Sequence, residues 1–235
     1  LLRIEDIDTT RCKPEYTAAI YEDLSWLGLS WPEPVRVQSE HFAAFQSCVD
    51  TLRQRGLAYR CFRTRSELSD LPSPLRPGAH AEADEQTRLE RGDRFAWRLS
   101  LDAAQDELGA AWNMLSYRIQ TPNGLQDIPA NPNLHGDIVI ARKDSPSAYH
   151  LAVTHDDALQ GITHIIRGED LIDAPHIHTL LQVLMGWPQP VYQHHPLIED
   201  SEGQKLSKRQ KSITLASLRA DGVTADEIKQ RLGFA

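Results

Sequence analysis

The chain has 235 residues, 40% hydrophobic and 25% charged, so it can bury a substantial core as one large domain or two small ones. Its formal net charge of −8 argues against a protein whose whole surface binds nucleic acid, because neutralised phosphates supply much of that affinity. No apolar stretch approaches the ~20 residues that span a bilayer, and the acidic start does not resemble a signal peptide, so we expect a cytoplasmic protein with no membrane partner.

The amino-terminal segment, residues 1–11, begins as an apolar strand and runs into an acidic turn. Glu5, Asp6 and Asp8 therefore lie where open α/β sheets bind ligands, beyond the carboxyl end of a strand. The same acids also suit the start of a helix, since Pro14 precedes a helical pattern. Both interpretations stay open from these residues alone.

Two amphipathic helices and a strand are expected next. Residues 15–27 place their apolar side chains on one face and are followed by a glycine, which predicts a helix end. A second helix is predicted from about Glu40, with Ser39 as its cap and Cys48 on its apolar face. Residues 57–62 then form a short strand pattern.

Residues 63–135 differ from their surroundings and are interpreted as an insertion into a nucleotide-binding fold. Prolines mark a loop, residues 82–91 form a polar helix pattern, and residues 95–101 alternate as a half-buried strand does. Arginines are concentrated between residues 53 and 98. They form either a local basic face or a solvated surface with interleaved acids, and charge alone favours neither.

The remainder returns to an α/β pattern. Short strands are expected at 137–141, 149–153 and 162–167, and a helix at 173–185. After the apolar run 191–198 comes a loop with two lysines three positions apart and a hydroxyl between them: Lys205, Leu206, Ser207, Lys208 and Arg209. Such a loop suits a polyphosphate, although Lys-rich pentapeptides are also typical of solvated surface. Short helices are predicted from Leu215 and, with a capping box, from Thr224.

Neither the cysteines nor the histidines form a recognisable metal motif. Cys12, Cys48 and Cys61 are widely spaced, with no C-x-x-C pair and no disulfide framework. The histidines of the second half include no His-x-x-x-His pair with an acid between. We therefore predict no ligand or catalytic role for any single one: His150, His155, His164, His176, His178, His194 and His195.

Four segments in fixed order carry a resemblance to a known family. They are Arg3–Asp8, Ala148–Ala152 followed by Asp156-Asp157, Ile165–Asp170, and Lys205–Arg209. Together they resemble the class I aminoacyl-tRNA synthetases of the glutamyl type, whose mobile KMSKS loop the last segment matches. The resemblance implies a Rossmann-type α/β core in 1–62 and 136–200, an α+β insertion in 63–135 that grips the tRNA acceptor end or a substrate RNA, and a KMSKS-type loop with a short helical stem-contact segment in 201–235.

The resemblance also implies ATP-dependent activation of glutamate and a role for each matched residue. Lys208 and Lys205 would be the catalytic cations, Glu5 would bind the α-amino group, Arg167 would pair with a glutamate carboxylate, and Tyr149 would orient the ligand. ATP, with Mg, would contact Lys205, Leu206, Ser207, Lys208, Arg209, Leu197 and Ile198. The alternatives are a salt bridge of Arg167 with its neighbours Glu169 or Asp170, and core packing for Tyr149.

The narrower identity depends on what the sequence does not contain. Only two short helices follow Arg209, with no anticodon-reading domain. In this the chain resembles the truncated glutamyl-Q branch of the family, which attaches glutamate to the queuosine base of tRNA(Asp). Short relatives often carry a Cys-x-Cys where this chain has Cys61-Phe62-Arg63. One thiolate with His80 makes no tetrahedral site, so we predict no zinc.

A missing upstream segment leaves three alternatives to this interpretation: a trimmed synthetase, a non-catalytic paralogue and a different nucleotidyltransferase. The family's upstream strand and HIGH-type loop precede Leu1, so we expect either an incomplete chain or one that cannot activate glutamate as it stands. A trimmed glutamyl-tRNA synthetase shares the four motifs, and a non-catalytic tRNA-binding paralogue is the candidate from another class. A different small-molecule nucleotidyltransferase is the third. The oligomeric state stays open, with a monomer expected.

Overall fold

The computed structural model describes residues 1–198 and 214–234. The chain divides into two compact units, of which the first combines Leu1–Glu40 with Leu197–Ala235 and the second is His41–Pro196. None of the helices in the described ranges has the length and apolar character needed to cross a membrane. The domain boundaries expected from the sequence stay a prediction.

Helices and strands alternate along the described chain. The helices are α1 (Pro14–Trp26), α2 (Phe42–Gln54), α3 (Arg65–Ser69), α4 (Glu82–Glu90), α5 (Leu101–Leu108), α6 (Tyr149–Leu159), α7 (Ala174–Met185), α8 (Leu215–Ala220) and α9 (Ala225–Arg231). The strands are β1 (Arg3–Ile4), β2 (Arg36–Val37), β3 (Ala58–Cys61), β4 (Ala96–Leu99), β5 (Ser116–Thr121), β6 (Gly124–Pro129), β7 (Val139–Ala141), β8 (His164–Gly168) and β9 (Val191–His195).

The first unit joins the two ends of the chain. Strands β1 and β2 pair in parallel, with α1 between them in the sequence. Helices α8 and α9 each begin with a threonine capping box, which satisfies free N–H groups of the first turn. Arg219 of α8 donates to Glu22 Oε1 at 2.8 Å and to Asp23 Oδ1 at 3.3 Å, and lies over the ring of Trp26. These contacts tie α8 to α1.

The second unit contains two sheets. Strands β3, β4 and β7 form an antiparallel sheet in that order. The other sheet has the order β6-β5-β9-β8: β9 pairs in parallel with β5 and β8, and β6 joins β5 as an antiparallel hairpin. Fully buried apolar side chains from α2, β4, β7, α6 and α7 form its core, including Leu52, Leu99, Ile140, Leu151, Ile177 and Leu180.

Asp137, which precedes β7, connects several segments of the second unit. Its carboxylate accepts hydrogen bonds from the Tyr59 hydroxyl at 2.7 Å and from the Leu101 backbone N–H at 3.0 Å, and its own N–H donates to the Leu75 carbonyl at 2.8 Å. The neighbouring Gly136 has φ +64°, and a Cβ there would lie 2.8 Å from the Leu75 nitrogen. The chain at this point needs glycine for both its conformation and its close approach.

Most of the expected elements are confirmed within a few residues. The patterns at 15–27, 57–62, 82–91 and 173–185 correspond to α1, β3, α4 and α7, and Gly186 ends α7 with φ +66°. The strands expected at 95–101, 137–141 and 162–167 are β4, β7 and β8, and the helices expected from Leu215 and Thr224 are α8 and α9. Cys48 lies in the core, as predicted.

Two local expectations are wrong. The strand predicted at 149–153 is the first part of helix α6, which is buried on most of its surface and so shows no helical alternation of polar and apolar residues. Ser39 does not cap the second helix, which begins at Phe42 after a 3₁₀ turn. The Ser39 hydroxyl instead donates to Asp6 Oδ2 at 2.6 Å, while its backbone N–H donates to Oδ1 at 2.8 Å.

Candidate functional site

Two parallel strands, β8 and β9, end side by side in the second unit. Arg167 pairs in register with His194, and Gly168 with His195, at the carboxyl ends of the two strands. Ligands in open α/β sheets bind beyond such ends. Arg167 therefore lies in the position that the sequence predicts for a ligand-binding residue.

The Arg167 guanidinium is only partly satisfied by its neighbours. Its Nε donates to His194 Nε2 over 3.4 Å, and its central carbon lies 5.1 Å from the centre of the Tyr192 ring. Its Nη2 is buried and has no hydrogen-bond partner among the described residues. The alternative interpretation, a salt bridge with Glu169 or Asp170, stays a prediction. A buried donor without a partner costs about 1–3 kcal/mol, so this nitrogen suits an incoming carboxylate.

A pair of histidines lies at the contact between α6 and α7. Tyr149 is the first residue of α6, and the next residue, His150, has its Nδ1 3.1 Å from Nε2 of His178 on α7. The Tyr149 ring lies 5.2 Å from the His150 ring and 6.2 Å from the His178 ring, measured between centres. The Tyr149 ring therefore lies beside both histidine rings.

The same histidines are electrically neutral at neutral pH. Burial, followed by the charges of His135 and Arg167, lowers the pKa of His150 to about 4. Burial, followed by His150 and Arg167, lowers the pKa of His178 well below its usual value. Burial and Arg167 also lower the pKa of His194. Arg167 thus provides the permanent positive charge of this cluster.

The structure brings two of the three predicted glutamate-binding residues into one cluster. The Tyr149 ring packs on His178, and the Arg167 charge acts on the same histidine. Glu5 belongs to the first unit, where it follows β1 and is exposed. Its Oε1 accepts from the Arg3 Nη2 at 2.8 Å and from the Arg3 Nε at 3.2 Å. An ammonium group bound by Glu5 would share this carboxylate with Arg3.

The ATP-binding residues expected from the sequence are described only in part. Lys205, Leu206, Ser207, Lys208 and Arg209 lie outside the described residues. Leu197 and Ile198 come directly after β9 and the following proline, and Ile198 is 52% exposed. Their predicted contact with adenine stays a prediction.

The sequence did not reveal the histidine pair. His150 and His178 are 28 residues apart on different helices, and only the packing of α6 on α7 joins them. The signal that was present is the position of His150 directly after Tyr149, inside one of the four family segments. Within the described residues, no group of three or more His, Cys, Asp or Glu side chains could hold a metal ion. The expected absence of zinc stays a prediction.

Comparison with known proteins identifies the family. The family described as tRNA synthetases class I (E and Q), catalytic domain, matches residues 1–230. The chain belongs to this family. It is a ligase of the aminoacyl-tRNA synthetase class, as the four ordered segments predicted.

Individual relatives agree with this family. The chain is 38% identical to the glutamyl-Q tRNA(Asp) synthetase of Rhodobacter capsulatus, over all of this chain and 87% of that protein. It is 37% identical to a glutamate–tRNA ligase of Synechococcus sp. strain CC9605, over 97% of this chain and 49% of that protein. The chain thus spans about half the length of that ligase.

A solved structure supports the fold. The crystal structure of a glutamate tRNA ligase from Elizabethkingia meningosepticum, in complex with its amino acid, matches with a TM-score of 0.66 and 28% identity. The match covers 88% of this chain and 45% of that one. The predicted Rossmann-type α/β fold class is confirmed by this likeness.

Proposed function

We propose that the protein activates glutamate with ATP to glutamyl-adenylate and transfers the glutamyl group to the queuosine base of tRNA(Asp). The observation that carries the glutamate assignment is the buried Nη2 of Arg167, a cationic donor with no hydrogen-bond partner in the described part of the chain, at the carboxyl ends of two parallel strands. The similarity to the glutamyl-Q tRNA(Asp) synthetase of Rhodobacter capsulatus supports the choice of nucleic-acid substrate.

Each matched side chain has a chemical role in this proposal. Arg167 pairs with a glutamate carboxylate through its planar guanidinium, and Tyr149 orients the ligand beside it. Glu5 provides the negative charge that an α-amino group requires. Lys205 and Lys208 stabilise the charge that builds on the phosphate oxygens when the glutamate carboxylate attacks the α-phosphorus and pyrophosphate leaves. Class I synthetases use ATP as a substrate, here proposed with Mg.

The proposed RNA contacts divide by region. The insertion 63–135 binds the acceptor end or substrate RNA, and residues 201–235 contain the KMSKS-type loop and a helical segment that contacts the RNA stem. Within the described residues, six of the ten arginines between residues 53 and 98 pair with carboxylates, so the proposed first contact depends on exposed ones such as Arg65 and Arg94. Salt dependence of tRNA binding measures how many of them meet phosphates.

The decisive experiment is ATP–pyrophosphate exchange with glutamate, run on the full gene product with and without tRNA. The glutamyl-Q assignment predicts exchange in the absence of tRNA. It also predicts transfer of labelled glutamate to tRNA(Asp) that contains queuosine, and no transfer to tRNA(Asp) that lacks this base. Absence of glutamate-dependent exchange under both conditions, together with tRNA binding, would favour a non-catalytic tRNA-binding paralogue.

A second candidate function is glutamate–tRNA ligation. The observation in its favour is the 37% identity to the Synechococcus ligase over 97% of this chain, almost the same as the similarity to the glutamyl-Q protein. Exchange that appears only with tRNA(Glu), and glutamyl transfer to that tRNA, would establish this function in place of the first.

A further inference from the structure

The hydrogen bond between His150 and His178 leaves one nitrogen of each ring without a described partner. His150 Nδ1 and His178 Nε2 are 3.1 Å apart and share one proton. The other nitrogen of His178, Nδ1, is buried and has no hydrogen-bond partner among the described residues. His178 itself is 1% exposed, so that atom is withheld from bulk water.

These contacts decide which nitrogen of each ring carries the proton. If His150 donated through Nδ1, the proton of neutral His178 would be on its Nδ1, where it would be a buried N–H with no acceptor. Orphaned buried N–H groups are rarer than under-satisfied acceptors. The favoured arrangement therefore has His178 Nε2–H donating to His150 Nδ1, which leaves the proton of His150 on Nε2. His150 then presents a neutral N–H donor on the side of its ring away from His178.

We propose that His150 is a substrate-positioning residue whose Nε2–H donates a hydrogen bond to a carboxylate oxygen of the bound glutamate, with His178 fixing the tautomer. This inference rests on the proposed function, because it assigns a further contact in the same glutamate site. Tyr149 packs on both rings, and Arg167 is close enough for its charge to act on both. The donor thus belongs to the residue beside Tyr149 and lies within range of the Arg167 charge.

A neutral donor suits this position better than a second cation. Burial, His135 and Arg167 lower the pKa of His150 to about 4, so its ring adds no charge beside the guanidinium at neutral pH. A donor-only nitrogen can be satisfied by a carboxylate oxygen and not by an ammonium group. His150 therefore orients the glutamate carboxylate, and Arg167 selects for its negative charge.

The tautomers can be measured without any activity. Nitrogen-15 NMR of the histidine-labelled full gene product distinguishes Nε2–H from Nδ1–H rings, with assignment by the single variants His150→Gln and His178→Gln. We expect both rings of the pair as neutral Nε2–H tautomers at pH 7. A His150 ring that carries its proton on Nδ1 would overturn the inference, whatever the outcome of the exchange assay.

Glutamate binding by calorimetry tests the contact itself. His150→Phe removes the donor, His150→Asn places an amide near the Nδ1 position, and His150→Gln places one near Nε2. We expect Phe and Asn to weaken glutamate binding about tenfold or more and Gln to stay within about threefold, since a hydrogen bond to a charged group contributes at least about one order of magnitude in affinity. The Michaelis constant for ATP should stay unchanged in all three.

The exposed His164 at the start of β8 supplies the control, because His164→Phe alters a histidine on the same strand as Arg167 and should leave glutamate binding unchanged. Equal affinity of wild type and His150→Phe would overturn the inference while the proposed function stands. Equal weakening by all three His150 variants would show a packing role and would overturn it too. A wild-type protein that binds no glutamate would remove both the proposed function and this contact.

Discussion

Replacing Arg167 by methionine tests the candidate site most directly. Methionine keeps an unbranched stem over the Tyr192 ring and removes the guanidinium. A hydrogen bond to a charged group contributes about 1.5–3 kcal/mol, and two such bonds join a guanidinium to a carboxylate. Nη2 is already withheld from bulk water and has no partner within residues 1–198 and 214–234, so little further desolvation opposes binding. We take the lower limit of about 3 kcal/mol, which corresponds to an approximately 100-fold loss of glutamate affinity.

The same substitution should leave the fold almost unaffected. It removes a buried donor, without a described partner, that costs about 1–3 kcal/mol. It also loses a cation–π contact with Tyr192 worth about 0.5–2 kcal/mol and the hydrogen bond from Nε to His194, worth about 0.5–1.5 kcal/mol. These terms oppose each other, so the free energy of unfolding should change by about 1 kcal/mol or less. Weakened binding with unchanged stability is the expected signature of Arg167→Met.

Calorimetric titration with glutamate and urea unfolding measure the two quantities on the same samples. Arg118→Met is the matched control, since Arg118 is an exposed arginine on β5 of the same sheet and should leave both quantities unchanged. The reasoning would be refuted if Arg167→Met bound glutamate within about threefold of wild type and lost about 3 kcal/mol of stability, because that pattern belongs to a structural arginine.

Three further predictions follow from other parts of the chain. Gly136→Ala should lower the free energy of unfolding in urea by about 1–3 kcal/mol more than the control Gly161→Ala. Both positions have positive φ, but only a Cβ at Gly136 would meet the Leu75 backbone. Equal losses of stability would contradict this. The pKa of His150 is lowered from 6.5 to about 4 in the folded protein, so as pH falls the unfolded state binds a proton before the folded state does. Between pH 6.5 and 4 the free energy of unfolding should therefore decrease by on the order of 3 kcal/mol more in wild type than in His150→Phe. Identical pH profiles of unfolding would contradict the neutral ring. Lys208→Ala should slow pyrophosphate exchange about 10²- to 10³-fold without changing glutamate affinity, and exchange at the normal rate would remove Lys208 from the proposed ATP site.

The sequence predicted those elements whose ends or faces have a local signature. Helix α1 begins with a proline and precedes Gly28, α9 begins with the capping box of Thr224, and α7 ends at Gly186 in the left-handed conformation. Each signal operates over a few residues. Such elements could therefore be recognised without knowledge of the tertiary structure.

Helix α6 could not be recognised in this way. Its buried residues include Leu151 and Val153 together with Thr154, Asp156 and Asp157, so polar and apolar positions do not separate onto two faces. The surrounding helices and strands, which supply this burial, are distant in the sequence. The apolar residues at its start therefore resembled a short buried strand.

The candidate site was also predicted only in part from the sequence. Motif order predicted Arg167 and Tyr149; the Tyr149 ring lies 6.2 Å from the His178 ring, and the Arg167 charge lowers the pKa of the same histidine. Motif order did not predict the contact of His150 with His178, the packing of Arg167 on Tyr192, or the pairing of Glu5 with Arg3. These depend on which side chains the packing brings together, and no spacing in the sequence encodes them.

The contacts of Arg219 with Glu22 and Asp23 have a consequence for the order of folding during synthesis. The two contacts span 196 and 197 positions of the sequence, so the first unit is completed only after α8 has been synthesised. The unit His41–Pro196 is continuous in sequence and can fold while the rest is being made. We therefore expect nascent chains that stop before α8 to protect the second unit from protease and to leave α1 accessible to cleavage.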